Sequence, residues 1–371
     1  MIHPENLFNF IVKVQNLLFR EFSNVIVSPF SLEALFLGIL SGAEGACNKE
    51  LANCLFGQDV DSNDISEMMN AFKALINQIG AIQNADFKMN NFIYISDKFQ
   101  VRPTYCSYVS KYLNILIKQL NFEDESLEAY ARIDADVRTA SLGRINKILK
   151  CLPTVSRLML VSQVSFQSEL KYKPLKQYDG HFKATNQDDA STQFTVLRNS
   201  FKLNEKNPDF VYIELPYVNE GMNLCIVLPA EGKSLRELAS SLKYDKAMQL
   251  SASSVFSQVE VHLPILKVQS NVDLAMVLQL CGISKVFESE NSDFSKMVND
   301  SKGLFLESVV TNSELILQDT PKVGTQTEDL APSEPLSTVI IINRPFMYSV
   351  TYSAKSLQTI TLFTGVVNII E

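Results

Sequence analysis

Tryptophan is absent from this 371-residue chain, and histidine occurs only three times. His3, His181 and His262 lie far apart, so we expect neither a metal cluster nor a Ser-His-Asp triad. The motifs G-x-S-x-G, G-x-x-x-x-G-K-[ST], G-x-G-x-x-G and H-E-x-x-H are also missing. We therefore expect no enzymatic activity, no metal site and no cofactor.

Long apolar runs and an excess of basic residues are missing as well. The formal net charge is −8 and the pI is near 5.2, which argues against nucleic acid or an anionic membrane as a partner. Residues 1–13 have the pattern of an amphipathic helix interrupted by charge, which is not that of a signal peptide. We expect a cytoplasmic protein, or one secreted by a non-classical route, that is a monomer.

Cysteines are present, but they show no C-x-x-C spacing and lie in segments that are otherwise apolar. This pattern favours buried free thiols over a disulfide framework. Hydrophobic residues make up 46% of the chain and charged residues 20%, so the whole chain can bury a sizeable core.

Helical patterns dominate the start of the chain, and extended patterns dominate the later part. The first third is mainly helical, with Ser31 predicted as the N-cap of an apolar helix, and the first strand expected at 87–95. Later segments alternate as strands that end at Pro216, Pro229 and Pro264. With no βα alternation, no repeat and no linker, we predict an α+β fold in a single domain, 1–371.

A polar stretch containing two prolines, 324–335, separates two apolar β-rich runs near the C-terminus. We interpret it as an exposed loop held between buried strands, and such loops are often functional. An exposed, extended segment is what an endopeptidase binds and cleaves. The loop could therefore act as a bait for a protease, although an ordinary surface loop is the simpler alternative.

Several short motifs, in order along nearly the whole chain, resemble those of one protein family, the serpins. The motifs are Asn24-Val25-Ile26-Val27-Ser28-Pro29-Phe30-Ser31, Gly143-Arg144-Ile145-Asn146, Glu214-Leu215-Pro216-Tyr217, Val261-His262-Leu263-Pro264, Asn343-Arg344-Pro345-Phe346 and Leu362-Phe363-Thr364-Gly365. Each motif is weak alone, but their shared order is specific.

The resemblance implies three β-sheets, about nine helices and an exposed reactive-centre loop, here at approximately 319–343. In inhibitory serpins, a serine protease cleaves the loop, which then inserts as a central strand of the main sheet while the protease stays attached as an acyl-enzyme. The resemblance thus implies a suicide inhibitor of a chymotrypsin-fold serine protease.

The hinge that such a loop requires is only partly present. Gly324 and Thr325 fit the family pattern, but Gln326, Thr327, Glu328 and Asp329 replace the usual run of small residues. Because side chains alternate along a strand, one of the two carboxylates would face the core side of the sheet after insertion. This departure keeps an alternative open, a non-inhibitory serpin that serves as a protease substrate, carrier or chaperone.

The bait itself is expected within Glu334, Pro335, Leu336, Ser337, Thr338 and Val339. Counting forward from Gly324 by the family spacing gives a cleavage site near Thr338, and counting back from Arg344 gives one near Glu334. This window holds no Arg or Lys. Leu336, or Leu330 ahead of it, favours a chymotrypsin- or elastase-like protease over a trypsin-like one.

The resemblance also implies a polar region beneath the main sheet that controls its opening. Its expected members here are Ser28, Pro29, Ser31, Ser162 and Thr311. Ser162 and Thr311 stand where serpins commonly have Asn and His, and both can still donate and accept hydrogen bonds. Leu170 stands where many members have Trp.

Overall fold

The structure is a computed structural model, and it describes residues 4–82, 86–143, 157–184, 188–316, 338–353 and 359–370. These residues form nine α-helices: α1 (Pro4–Glu21), α2 (Pro29–Gly42), α3 (Gly45–Phe56), α4 (Ser62–Gly80), α5 (Pro103–Leu113), α6 (Ser126–Ala140), α7 (Leu235–Ser241), α8 (Tyr244–Ser253) and α9 (Ala275–Cys281).

The same residues form fourteen strands: β1 (Val25–Val27), β2 (Asp86–Ser96), β3 (Ile115–Leu120), β4 (Leu158–Gln167), β5 (Lys176–Phe182), β6 (Ala190–Asn204), β7 (Phe210–Pro216), β8 (Met222–Pro229), β9 (Val255–Pro264), β10 (Lys267–Asp273), β11 (Leu306–Ile316), β12 (Thr338–Ile341), β13 (Phe346–Ser353) and β14 (Thr359–Val367). The predicted α+β class is confirmed.

The described strands join into two hydrogen-bonded sheets, where the family resemblance implies three. One has five strands in the order β10-β11-β4-β2-β3, and the other has nine, from β1 at one edge to β12 at the other. The larger sheet is continuous because the 15-residue strand β6 pairs with β9 along most of its length and with β7 through its last residues, Lys202 to Asn204.

The five-stranded sheet is covered on both faces. Toward α2, strand residues such as Leu160 and Val164 belong to the main core of the protein. On the opposite face, Met159 and Val161 pack in a second core with Ile133 and Val137 of α6. Helix α6 therefore lies across one face of a sheet whose other face rests on α2.

The N-cap of helix α2 lies three residues earlier than Ser31, the predicted N-cap. Ser28 is the N-cap, because its backbone is extended and its side chain accepts a hydrogen bond from the backbone N–H of Ser31. Pro29 follows at the first helical position, where a missing N–H costs nothing. Ser31 is thereby turned inward, and only 1% of its surface is exposed.

Candidate functional site

Strands β4 and β11 lie side by side and parallel, at the centre of the five-stranded sheet. Ten residue pairs join them, from Leu158 with Leu306 to Gln167 with Ile316. We call this pairing the β4–β11 seam. In the part of the chain that the structure describes, no strand lies between β4 and β11.

The loop begins at one end of this seam and ends on the other sheet. Strand β11 leads into residues 317–337, and β12 follows from Thr338 at the edge of the nine-stranded sheet, parallel to β9. The predicted hinge, from Gly324 to Asp329, lies outside the described residues, as do Glu334, Pro335, Leu336 and Ser337 of the bait. The remaining bait residues, Thr338 and Val339, lie in β12.

The direction of the strands suits the addition of a strand at the seam. A chain that leaves the end of β11 and turns back runs antiparallel to β11, and therefore also antiparallel to β4. Such a strand could pair with both neighbours in the more stable antiparallel pattern. The seam is thus arranged so that the segment following Ile316 can enter it without a crossover.

Three of the five residues predicted for the opening region meet under the sheet. The Ser31 Oγ donates to Asn91 Oδ1 at 2.8 Å and lies 2.5 Å from Ser162 Oγ. Because the single Ser31 hydroxyl proton is directed at Asn91, Ser162 is the donor in the second contact. Ser28 donates to the Leu362 carbonyl at 2.8 Å, so the cluster ties α2 to both sheets.

Thr311, the predicted member on β11, does not join this cluster. It pairs with Ser162 across the seam, yet its hydroxyl donates to the Val272 carbonyl of β10 at 3.4 Å. Asn91 takes part instead, from β2, and its amide also reaches the Ser31 carbonyl at 3.4 Å. A signal for Asn91 exists in the sequence, since an Asn in a buried apolar strand needs a partner.

The face of the seam directed away from α2 is also polar. Asn90, Gln163 and Asn312 stand in one row across β2, β4 and β11. Asn90 donates to Gln163 Oε1 at 2.8 Å, but the Gln163 Nε2 is buried without a hydrogen-bond partner among the described residues.

A buried carboxylate lies near the end of the seam that leads into the loop. Glu314 of β11 is 2% exposed, and the Lys267 Nζ lies 3.0 Å from its Oε2. Gln269 also donates to this carboxylate. A strand inserted at the seam would place its side chains on this face between Ser165 and Glu314.

Ser31→Ala is expected to lower the free energy of unfolding by about 1–3 kcal/mol, because it removes a buried hydroxyl that serves two partners, Asn91 and Ser162. Urea denaturation followed by circular dichroism measures the change. Ser240→Ala is the matched control, since the exposed Ser240 hydroxyl donates locally, to the Arg236 carbonyl four residues earlier in the chain. Equal small effects at the two positions would show that the buried cluster contributes little.

The described cysteines form no disulfide. Of the six cysteines, five lie in the described residues and all five are free: Cys47, Cys54, Cys106, Cys225 and Cys281. Burial raises the pKa of Cys225 to about 11, which leaves it an unreactive thiol at neutral pH.

Among the described residues, no helix is long and apolar enough to cross a membrane, and no group of metal-binding side chains forms.

Known proteins share both this fold and its sequence pattern. A sequence profile described as Serpin (serine protease inhibitor) matches residues 7–369. Serine protease inhibitor 42Dd of Drosophila melanogaster is 25% identical over 333 residues, which cover 88% of this chain and 87% of that protein.

Two solved structures show the likeness of fold. Mouse protein-Z dependent protease inhibitor aligns with a TM-score of 0.87 at 21% identity, over 99% of this chain and 96% of the other. Human thyroxine-binding globulin complexed with thyroxine aligns with a TM-score of 0.86 at 18% identity, over 99% and 98%. Because the profile spans nearly the whole chain, the protein belongs to the serpin family.

Proposed function

We propose that the protein is a suicide inhibitor of a chymotrypsin-fold serine protease. The protease cleaves the loop between β11 and β12, and the freed segment enters the β4–β11 seam while the protease remains attached as an acyl-enzyme. The observation that carries this proposal is the parallel pairing of β4 and β11 directly ahead of the loop.

The loop is long enough to fill the seam. Roughly 20 residues separate Ile316 from Leu336, and a strand advances about 3.3 Å per residue. After a turn of a few residues, the remainder can span the ten residue pairs of the seam. Ile133 and Val137 of helix α6 cover the half of this sheet that holds the first residues of β4. Insertion therefore requires α6 to shift or its contacts with the sheet to loosen.

We propose Leu336–Ser337 as the scissile bond. Thr338 in β12 pairs with Val259 of β9, which makes a bond at or after Thr338 a poor substrate because its backbone already belongs to a sheet. The Glu334–Pro335 bond is also poor, since the proline nitrogen carries no hydrogen and its ring restricts the backbone. A leucine bait supports a chymotrypsin- or elastase-like target over a trypsin-like one.

Leu336→Arg tests the function and the bait together. We expect the wild-type protein to form an SDS-resistant complex with chymotrypsin and the variant to form one with trypsin instead, because the bait side chain fills the specificity pocket of the protease. Leu330→Arg is the matched control and is expected to keep the chymotrypsin complex. The reverse result would make Leu330 the bait. If neither protein formed a complex with either protease, inhibition would be contradicted.

A non-inhibitory role is the second candidate. The carboxylates of Glu328 and Asp329 and the prolines at 332 and 335 all oppose burial in a central strand. The same fold also occurs in thyroxine-binding globulin complexed with thyroxine. In that case a protease would cut the loop and then dissociate as an active enzyme.

We propose that the protein meets its protease as a monomer in the cytoplasm, or outside the cell after release by a non-classical route. Free thiols support the first location, since reducing compartments keep cysteines unpaired, and the five described cysteines are all free. A gel-filtration measurement of mass and a fractionation of the source cells test the two statements.

A further inference from the structure

A cavity of about 670 Å³ lies near the end of α1 and the start of α7, away from the seam. Among the described residues, four cationic side chains and one carboxylate, that of Glu231, line it. This local excess of positive charge contrasts with the net charge of −8 for the whole chain. The four cations, which we call the cationic cavity cluster, are Lys183, Lys233, Arg236 and Arg344.

Both arginines are held in place by neutral partners. The Arg344 Nε donates to the Pro229 carbonyl at 2.9 Å, and the Arg236 Nη2 donates to the Phe19 carbonyl at 3.2 Å. The Arg236 guanidinium also lies 5.2 Å from the centre of the Phe19 ring. Each guanidinium therefore has a fixed position and keeps further N–H groups available, as bidentate binding of an oxyanion requires.

Ion pairs within the protein neutralise little of this charge. Lys233 lies 2.7 Å from Asp209, which raises the pKa of Lys233. In the described part of the chain, Lys183, Arg236 and Arg344 make no salt bridge. Partial burial lowers the pKa of Arg344, an effect that the charge of Glu231 opposes at longer range. A cluster in which three of four cations have no salt bridge among the described residues attracts anions from solution.

We propose that the cationic cavity cluster binds a small multivalent oxyanion, namely phosphate or sulfate groups carried by a soluble molecule. Its volume is within the range of small-molecule sites, about 300–1,000 Å³. Arg344 lies on the connection between β12 and β13, and the backbone N–H of Lys183 donates to the neighbouring Asn343 carbonyl at 2.7 Å. An anion shared by Lys183 and Arg344 would thus brace the connection that follows β12.

Isothermal titration calorimetry with two probes tests the proposal: sodium pyrophosphate for a phosphate ligand and sucrose octasulfate for a sulfated sugar. The intact protein is titrated at pH 7.5 and fixed ionic strength, as wild type and as the double variant Lys183→Gln, Arg236→Gln. The matched control is Lys73→Gln, Lys111→Gln, which removes two lysines beside the Tyr112 ring. The melting temperature of each protein without ligand serves as the check that it folds.

We expect saturable binding of at least one probe with a Kd below 1 mM, at least tenfold weaker in the cavity variant and unchanged in the control. The probe that binds more tightly identifies the ligand as a phosphate or a sulfated sugar. Binding should weaken as sodium chloride is added, since exposed charges are screened. Absence of saturable binding by both probes, or an equal loss in the control variant, would overturn the proposal.

Discussion

Cleavage of the loop is expected to raise the melting temperature of the protein by about 15 °C or more. Insertion replaces the parallel β4–β11 ladder of ten pairs with two antiparallel ladders, which adds about ten backbone hydrogen bonds at ~1 kcal/mol each. In a chain of this length, an increase of 1 kcal/mol in the free energy of unfolding raises the melting temperature by about 1–2 °C. Burial of the inserted side chains adds to this gain.

The measurement is differential scanning calorimetry of the protein before and after limited chymotrypsin digestion, with the cleavage site read from the released peptide. A synthetic peptide of residues 320–336, added to the uncleaved protein, provides the control, because it can occupy the seam without any cut. Stabilisation by cleavage and by the peptide would support insertion. A cut chain that melts at the original temperature would favour the non-inhibitory role.

The hinge carboxylates are expected to limit trapping, and only one of them should do so strongly. Adjacent residues of a strand face opposite sides, so one of Glu328 and Asp329 would enter the apolar side that includes Val164 and Leu315. The other would face Gln163 and Glu314, with Lys267 nearby. Burying a carboxylate in apolar surroundings costs several kcal/mol, whereas the polar side tolerates it better.

Glu328→Ala and Asp329→Ala test this asymmetry as single variants. We expect one of them to lower the number of inhibitor molecules consumed per trapped protease by severalfold, because faster insertion competes better with release of the protease. The other should change this stoichiometry little, and the double variant should resemble the better single one. Glu220→Ala, an exposed carboxylate outside the loop, is the control.

If both single variants had the same effect, the alternation argument would be wrong for this segment. If neither had any effect while complexes still formed, the hinge would not enter the seam as far as Asp329. The first result therefore tests which face of the sheet each hinge side chain enters, and the second tests how far the hinge inserts.

Where one local pattern dominates, the fold could be read from the sequence. Strands β7, β8 and β9 end at Pro216, Pro229 and Pro264 as predicted, because proline cannot continue a central ladder. Helix α9 ends before Gly282, which adopts a left-handed conformation with φ of 106° that favours glycine. The three-residue strand β1 was not predicted, since so short a run has no readable period.

The polar contacts depend on tertiary structure, and the sequence reveals them less well. Ser31 was predicted as a cap but is turned inward, because Ser28 and Pro29 begin the helix. Asn91 was not predicted as its partner, since the two residues meet only when β2 packs over α2. Thr311 pairs with Ser162 across the seam, but its hydroxyl donates to Val272 of β10, a choice of partner that depends on the neighbouring strand.

The most direct test of the proposed inhibition is a denaturing gel of the intact 41.6 kDa protein after incubation with chymotrypsin, elastase and trypsin separately. We predict an SDS-resistant band near the summed mass with chymotrypsin or elastase, and a released C-terminal peptide beginning at Ser337. Complete cleavage by all three proteases without such a band, at several pH values, would contradict the proposed inhibition.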